Sequence, residues 1–404
     1  MRASPALAAN GSSNVRVRRV TLTVVIPAII LVTLAVAVAV PSAMIAFALP
    51  PPTGPAPVGT MTLEFSRPQV PAESPPGRFV VQLWYPSLPS ADRAPYGFQG
   101  GGLKRFVYSL LLRTHSARNP AVAPGASLPI LLYVAGWGGR RTDNTVLAED
   151  LASHGFLVAA LSDVSFDEPA LPRLSAAADF SSKASYEATL ALAAEKLRYE
   201  SRRASAVLDR LVALNAEPAG PFAGRLDARR AGILGFSLGG AVALESCRRD
   251  ARFKAAMNLD GLLFDAGAGS DRGSHAPYFL VSDPGTATTS DDLASADPAR
   301  RYPAILDVAD SRIQREMLAR GGYALTIDGA QHLSFTDAAL YSPMERLRDG
   351  AIDPVRVAAI VRKYAVAFFD SALNGQPSRI LAMQAPRDPG VAFERWIPAG
   401  KSHP

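Results

Sequence analysis

Cysteine is nearly absent. Cys247 is the single one in 404 residues, which excludes an internal disulfide framework and any multi-cysteine zinc or iron–sulfur site. Histidine is scarce as well, and the five present (His115, His154, His275, His332 and His403) leave few candidates for a base or a metal ligand. Charged residues are only 19% of the chain against 48% hydrophobic, so a disordered polar chain is excluded and a large core is within reach. Net charge is small too. The 42 basic and 36 acidic residues give +6, which falls to +2 without Arg2, Arg16, Arg18 and Arg19. The basic excess therefore belongs largely to the first twenty residues, and no nucleic-acid partner is expected. No internal repeat at a solenoid period occurs.

What is present begins with Val20–Val40, 21 residues without a charge. As a helix at about 1.5 Å per residue this run would cover roughly 31 Å, the thickness of a bilayer core. Arg16, Arg18 and Arg19 precede it, which keeps the start cytoplasmic and sends the remainder across. Two readings compete for segment 20–48. Its length fits a membrane anchor, because a signal-peptide apolar region usually spans about 7–15 residues. Pro41 followed by small residues and Ala46-Phe47-Ala48 fits a cleaved signal. Either way the bulk of the protein is expected outside the cytoplasm. It is held there by membrane contact through the N-terminal helix, or is secreted or periplasmic after cleavage.

The proline-rich stretch 49–59 reads as a semi-extended spacer. Beyond it, short apolar runs alternate with longer helical patterns, the sign of a mostly parallel central sheet with helices on both faces. Expected strands are Thr60–Phe65, Arg78–Tyr85, Leu128–Val134, Phe156–Leu161, Ala231–Gly235, Ala255–Leu259, Tyr278–Val281 and Tyr323–Ile327. Helices are expected over 145–154, 187–214 and 238–248. A last helix carries Asp353 as its cap, Pro354 at its first position and Gly375 beyond its end. Segments 87–127 and 284–304, rich in Pro, Gly, Ser and Asp, read as surface excursions. The expected organisation is a basic segment 1–19, the anchor or signal 20–48, the spacer 49–59, an α/β domain 60–376 and a tail 377–404.

Gly235-Phe236-Ser237-Leu238-Gly239 falls between an expected strand and an expected helix. A strand turning at once into a helix strains its middle residue, and flanking glycines avoid collisions with the neighbouring strand and helix. The serine oxygen then stands at the carboxyl edge of the sheet, beside the positive end of a helix. A phosphate-binding loop fits less well, since no lysine follows the glycines. A serine nucleophile needs a base, and the base an orienting acid, in the chain order Ser, acid, His. His332 lies in the loop after the final expected strand, where the carboxyl edge falls. His275 precedes a strand, and His403 is at the terminus. Asp260 and Asp283 both end strands in the right region, and spacing does not separate them. An oxyanion hole would use the Leu238 N–H and a second N–H from Gly136-Trp137-Gly138-Gly139, with Trp137 as donor. Asp291, Asp292 and Asp297 read as a solvated acidic loop rather than a calcium site, and Cys247 as a packed, inert thiol.

Four features together resemble the platelet-activating-factor acetylhydrolase-like family of the α/β-hydrolase superfamily. They are Trp84-Tyr85-Pro86 at a strand end, Gly136-Trp137-Gly138, Gly235-Phe236-Ser237-Leu238-Gly239-Gly240, and His332-Leu333-Ser334-Phe335-Thr336-Asp337. The resemblance spans about residues 60–370 and departs at Ala135, where such enzymes commonly carry histidine. It implies an α/β-hydrolase fold, a triad acid after the strand that follows the elbow helix, hence Asp260 over Asp283, and no cofactor. The substrates it implies are short-chain or oxidised acyl esters, phospholipids among them. Competing readings are a polyester or cutin-type esterase, an acyltransferase, and an inactive hydrolase-fold binding module tethered to a membrane.

Overall fold

Alternation along one strand sets up the architecture. In β5 (Leu128–Val134) every residue is buried, with Ile130, Leu132 and Val134 in one core and Leu131 and Tyr133 in another. Successive side chains of a strand point to opposite faces, so a run with no polar member must be covered on both. The computed structural model describes residues 27–35, 49–66, 77–97, 112–167, 171–264, 276–285, 288–341, 352–382 and 388–397. Among them, β5 lies inside an eleven-stranded sheet of order β11-β10-β9-β8-β7-β5-β6-β2-β1-β4-β3. The other strands are β1 (Val58–Ser66), β2 (Arg78–Pro86), β3 (Arg93–Pro95), β4 (Arg113–Arg118), β6 (Leu157–Leu161), β7 (Leu226–Phe236), β8 (Phe253–Leu259), β9 (Tyr278–Ser282), β10 (Gly322–Ile327) and β11 (Val391–Trp396). The block from β6 through β10 is parallel, while β2 and β11 join it antiparallel.

Helices α1 (Thr145–Ser153) and α5 (Pro354–Asn374) cover one face, sharing a core with Leu131, Tyr133, Val158 and Phe279. Helices α2 (Lys183–Ala216), α3 (Leu238–Arg249) and α4 (Pro298–Leu318) cover the other, around Val81, Leu132 and Ile233. The punctuation of α5 works as its residues suggest. The Asp353 carboxylate accepts the Val355 N–H, and Gly375 takes a left-handed φ of 66°.

The structure departs from the sequence reading at several places. Segment 87–127 holds β3 and β4 rather than loop alone. The Asp- and Pro-rich stretch before 304 starts a 21-residue helix. Asp297 accepts the Ala299 N–H as its cap and Pro298 stands at its first position. Composition signalled a loop where the same residues signal a helix start. Of the acidic residues read as a solvated loop, Asp292 lies in a short helix capped by Thr289, accepts the Thr289 N–H at 2.8 Å and pairs with Arg300 at 2.6 Å. The tail contributes β11 to the sheet edge.

The stretch read as a spacer is docked rather than free. Thr53 N–H donates to Asp150 Oδ1 (2.6 Å), Gly54 N–H to Ser153 Oγ (2.9 Å), and Arg362 to Pro51 O (2.7 Å). A proline-rich strap has few internal partners, and its remaining N–H groups find them on α1.

Residues 1–48 and 49–404 separate into two units. Of the first, residues 27–35 form a helix with exposed side chains, Ile29 and Leu31 among them. No helix among the described residues is long and apolar enough to cross a membrane, and the rest of the apolar segment 20–48 lies outside them. His275 and His403 also lie outside.

Candidate active site

Ser237 joins β7 directly to α3, with φ 54° and ψ −124°. A positive φ on a residue with a side chain costs of order 1–3 kcal/mol and persists only where the surroundings enforce it. The surroundings do so here. Ser237 N–H donates to Leu259 O at 2.9 Å, and Ser237 O accepts the Gly240 N–H at 2.9 Å. A Cβ on Gly239 would stand 2.0 Å from Val134 O, and one on Gly235 2.1 Å from Gly239 O. The turn closes only with bare backbone at both positions.

The parallel register aligns the carboxyl ends of β7, β8 and β9, where the turns after them meet. Asp260, just past β8, also has φ 54°, and its N–H donates to Val281 O at 2.7 Å. Buried Asn258 braces this turn. Its Oδ1 accepts the Gly261 N–H and its Nδ2 donates to Gly261 O, each at 2.8 Å, with a further bond to the Tyr278 hydroxyl at 2.9 Å.

His332 opens a short 3₁₀ turn after β10. Its Nε2 lies 3.1 Å from Ser237 Oγ and its Nδ1 2.6 Å from Asp260 Oδ2. The Phe236 ring packs on the imidazole, with centroids 4.6 Å apart. Ser237, Asp260 and His332, spread over 96 residues of sequence, thus form one chain of hydrogen bonds. Asp283 stands beside it without touching the imidazole. It donates its N–H to Asp260 Oδ1 (3.1 Å), and its own Oδ1 accepts the Gly285 N–H (2.7 Å). Burial, and then the neighbouring Asp260 charge, push the Asp283 carboxyl above the usual carboxylate range.

The turn Gly136–Gly139 lies over the serine. A Cβ on Gly136 would meet Ser237 Cβ at 3.0 Å and Phe236 O at 3.2 Å. The residue before Trp137 thus packs against Ser237, and Leu238, first residue of α3, follows the serine directly. Trp137 is held by its ring, whose Nε1 donates to Ala176 O (3.0 Å), while the Lys196 ammonium sits 5.0 Å from the ring centroid. Lys196 is fully buried and paired with Asp163 at 2.7 Å, and the Asp163 N–H donates to Gly139 O at 3.0 Å. Cys247 is buried on α3, and burial pushes its thiol upward, away from the reactive thiolate.

A cleft of about 650 Å³ opens beside these groups, walled by Phe264, Leu280 and Pro284 and by Asp307, Ser311 and Gln314 of α4. Asp310, also on α4, holds the near wall. It accepts the Leu263 and Phe264 N–H groups, and Gln314 Nε2 bonds both Asp310 Oδ2 (2.7 Å) and Gly261 O (3.2 Å). The sequence reading missed α4 and this clamp. The helical spacing of Tyr302, Leu306, Ile313 and Met317 was the signal available for α4, and all four are buried. Lys196, Asp163 and Asn258 were missed as well, since nothing in their local sequence marks them.

A family model described as PET hydrolase-like matches residues 186–262, from within α2 to just past Asp260. The platelet-activating factor acetylhydrolase of Cavia porcellus is 24% identical over 348 residues, covering 73% of this chain and 72% of that protein. That of Bos taurus is 27% identical over 179 residues, covering 39% and 40%. Among solved structures, a ferulic acid esterase from Streptomyces cinnamoneus superposes with a TM-score of 0.62 at 29% identity, covering 86% of this chain and 99% of that one. Fold and comparisons together define a carboxylic ester hydrolase with a mostly parallel α/β sheet. Within that class, the chain is similar to platelet-activating factor acetylhydrolases along most of its length and to PET hydrolase-like proteins over residues 186–262.

Proposed function

We propose that the protein hydrolyses short-chain or oxidised acyl esters, phospholipids among them, through a Ser237–His332–Asp260 triad and an acyl-enzyme. The observation that carries this reading is the bond chain from Ser237 Oγ to His332 Nε2 (3.1 Å) and from Nδ1 to Asp260 Oδ2 (2.6 Å). His332 Nε2 takes the serine proton as Oγ adds to the ester carbonyl, and Asp260 accepts the Nδ1 hydrogen and stabilises the imidazolium. The backbone N–H groups of Leu238 and Trp137 hold the oxyanion. Losing one such donor costs about 2.7–4 kcal/mol in the transition state. The imidazolium then protonates the departing alcohol. A water, deprotonated by the same ring, releases the acid from Ser237.

The acetylhydrolase relatives support the acyl-ester substrate. The PET hydrolase-like match and the ferulic acid esterase likeness favour a second reading, a polyester or aryl-ester substrate. An ester panel separates the two, running from p-nitrophenyl acetate through longer acyl chains to feruloyl and terephthalate esters. Ser237→Ala should lower hydrolysis by about 10⁶-fold and abolish fluorophosphonate labelling. Activity retained in that variant overturns the mechanism.

The same proposal places the enzyme outside the cytoplasm, with segment 20–48 as its anchor. The 21 charge-free residues behind three arginines support that reading. Partition of the full chain into carbonate-washed membranes, with its N-terminus intact, is the expected result. A mature N-terminus after Ala48 would replace the anchor with a cleaved signal.

A further inference from the structure

Ser334-Phe335-Thr336-Asp337, the remainder of the histidine motif, takes no part in the chemistry above. Asp337 is nevertheless 2% exposed and densely bonded. Its N–H donates to Asp143 O at 2.7 Å, and its carboxyl oxygens accept the Val146 N–H of the first turn of α1, each at 3.3 Å. The Tyr96 hydroxyl lies 3.1 Å from Asp337 Oδ2 and 2.8 Å from Thr142 O. Between His332 and Asp337 the chain is a stiff turn. Gln331 N–H donates to Ser334 Oγ (3.1 Å), Thr336 Oγ1 to Leu333 O (2.8 Å), and the Phe335 ring is buried. Motion at Asp337 therefore reaches the imidazole with little slack.

The residues that hold Asp337 continue directly from the turn over Ser237. Asp143 Oδ2 accepts the Arg140 N–H at 2.7 Å, and Arg140 follows Gly136–Gly139. We propose that Asp337 is a positioning residue for His332, fastening the histidine loop to the stretch 140–146 that continues from the oxyanion turn Gly136–Gly139. The imidazole and the oxyanion donors are then indexed against one element. This inference rests on the triad reading above.

The charged and titratable groups around Asp337 are Tyr96, Tyr133 of β5, Asp143, Glu149, Tyr341 beyond Tyr96, and Arg362 of α5. Burial holds its carboxyl well above the usual range. Asparagine is therefore the closest isostere, with an oxygen to accept the Val146 N–H.

The test compares Asp337→Ala, Asp337→Asn and Ser237→Ala in the full chain, with Val207→Ala, buried on α2, as a destabilised control. The readouts are kcat and KM on p-nitrophenyl butyrate, the fluorophosphonate labelling rate and Tm. Displacements on the ångström scale cost up to about 10²-fold. Asp337→Ala should lose about 10- to 10²-fold in kcat and labelling rate with KM within about twofold. Asp337→Asn should recover kcat to within about threefold of the parent. A kcat in Asp337→Ala no lower than in Val207→Ala at equal Tm loss overturns the assignment. If Asp337→Ala does not fold, Asp337→Glu, which displaces the carboxyl by one methylene, replaces it. The same kcat loss is expected there, and a parental kcat overturns the assignment. Activity in Ser237→Ala would instead remove the triad reading. An inactive Ser237→Ala beside a fully active Asp337→Ala removes only this inference.

Discussion

Replacing Asp260 by asparagine changes one oxygen to an amide nitrogen and little else in volume. The consequence follows from what the carboxylate touches. Oδ2 accepts the Nδ1 hydrogen of His332 at 2.6 Å, and Oδ1 accepts the Asp283 N–H at 3.1 Å. In Asp260→Asn the amide must offer its single oxygen to one of these donors and its NH₂ to the other. With oxygen toward the Asp283 N–H, the NH₂ faces Nδ1, so the ring carries its hydrogen on Nε2. That hydrogen points at Ser237 Oγ across 3.1 Å, and the ring can no longer take the serine proton. In comparable triads this change lowers kcat by about 10⁴-fold, or roughly 5.5 kcal/mol of transition-state stabilisation. Asp283→Asn is the matched control. Its carboxylate bonds the Gly285 N–H and not the imidazole, so kcat should stay within about tenfold of the parent. The assay is steady-state hydrolysis of p-nitrophenyl butyrate across pH 5–9, with fluorophosphonate labelling as a second measure of nucleophile activation. If Asp260→Asn keeps kcat within tenfold, or Asp283→Asn loses as much, the assignment of the acid is wrong.

Two further outcomes are expected. Gly239→Ala drives a methyl to 2.0 Å from Val134 O and 2.8 Å from Ala135 O, both fixed backbone. Stability should fall by about 3 kcal/mol or more, read as a loss of denaturation midpoint, and a parental midpoint would show that the elbow has room. Asp310 is buried, and burial raises its carboxyl to about 6. A raised native value means the folded state holds the proton more tightly, so stability is fully present below about pH 4 and declines as pH rises through 6. The parent should therefore lose about 3 kcal/mol relative to Asp310→Asn between pH 4 and 7. Parallel stability curves for the two proteins would refute that.

Local order along the chain was legible because it rests on periods that side chains impose directly. The all-apolar β5, the helical stripe of α2, the cap, proline and glycine of α5, and the glycine-flanked serine between β7 and α3 could all be read from neighbours a few residues apart. The carboxyl edge could be anticipated too, since strands followed by helices in alternation make a parallel sheet. Composition misled where a residue type serves two purposes. Asp297 and Pro298 mark a helix start as readily as a loop, and the proline-rich strap 49–57 is bonded to α1 through Thr53, Gly54 and Ala56 rather than running free.

What tertiary structure alone decided is which distant groups meet. Asp260 and Asp283 end adjacent parallel strands with the same local signals, and no spacing rule distinguishes them. The left-handed turn at Asp260, braced by Asn258, directs its carboxylate to the imidazole, whereas Asp283 turns to its own loop. The same holds for Lys196 beneath Trp137, Asp310 behind the cleft wall and Asp337 behind the histidine loop. Each is a buried polar group with partners on other elements, and a chain read residue by residue carries no record of distances across a core. Periodicity is a property of one segment, and convergence is a property of the packing between segments.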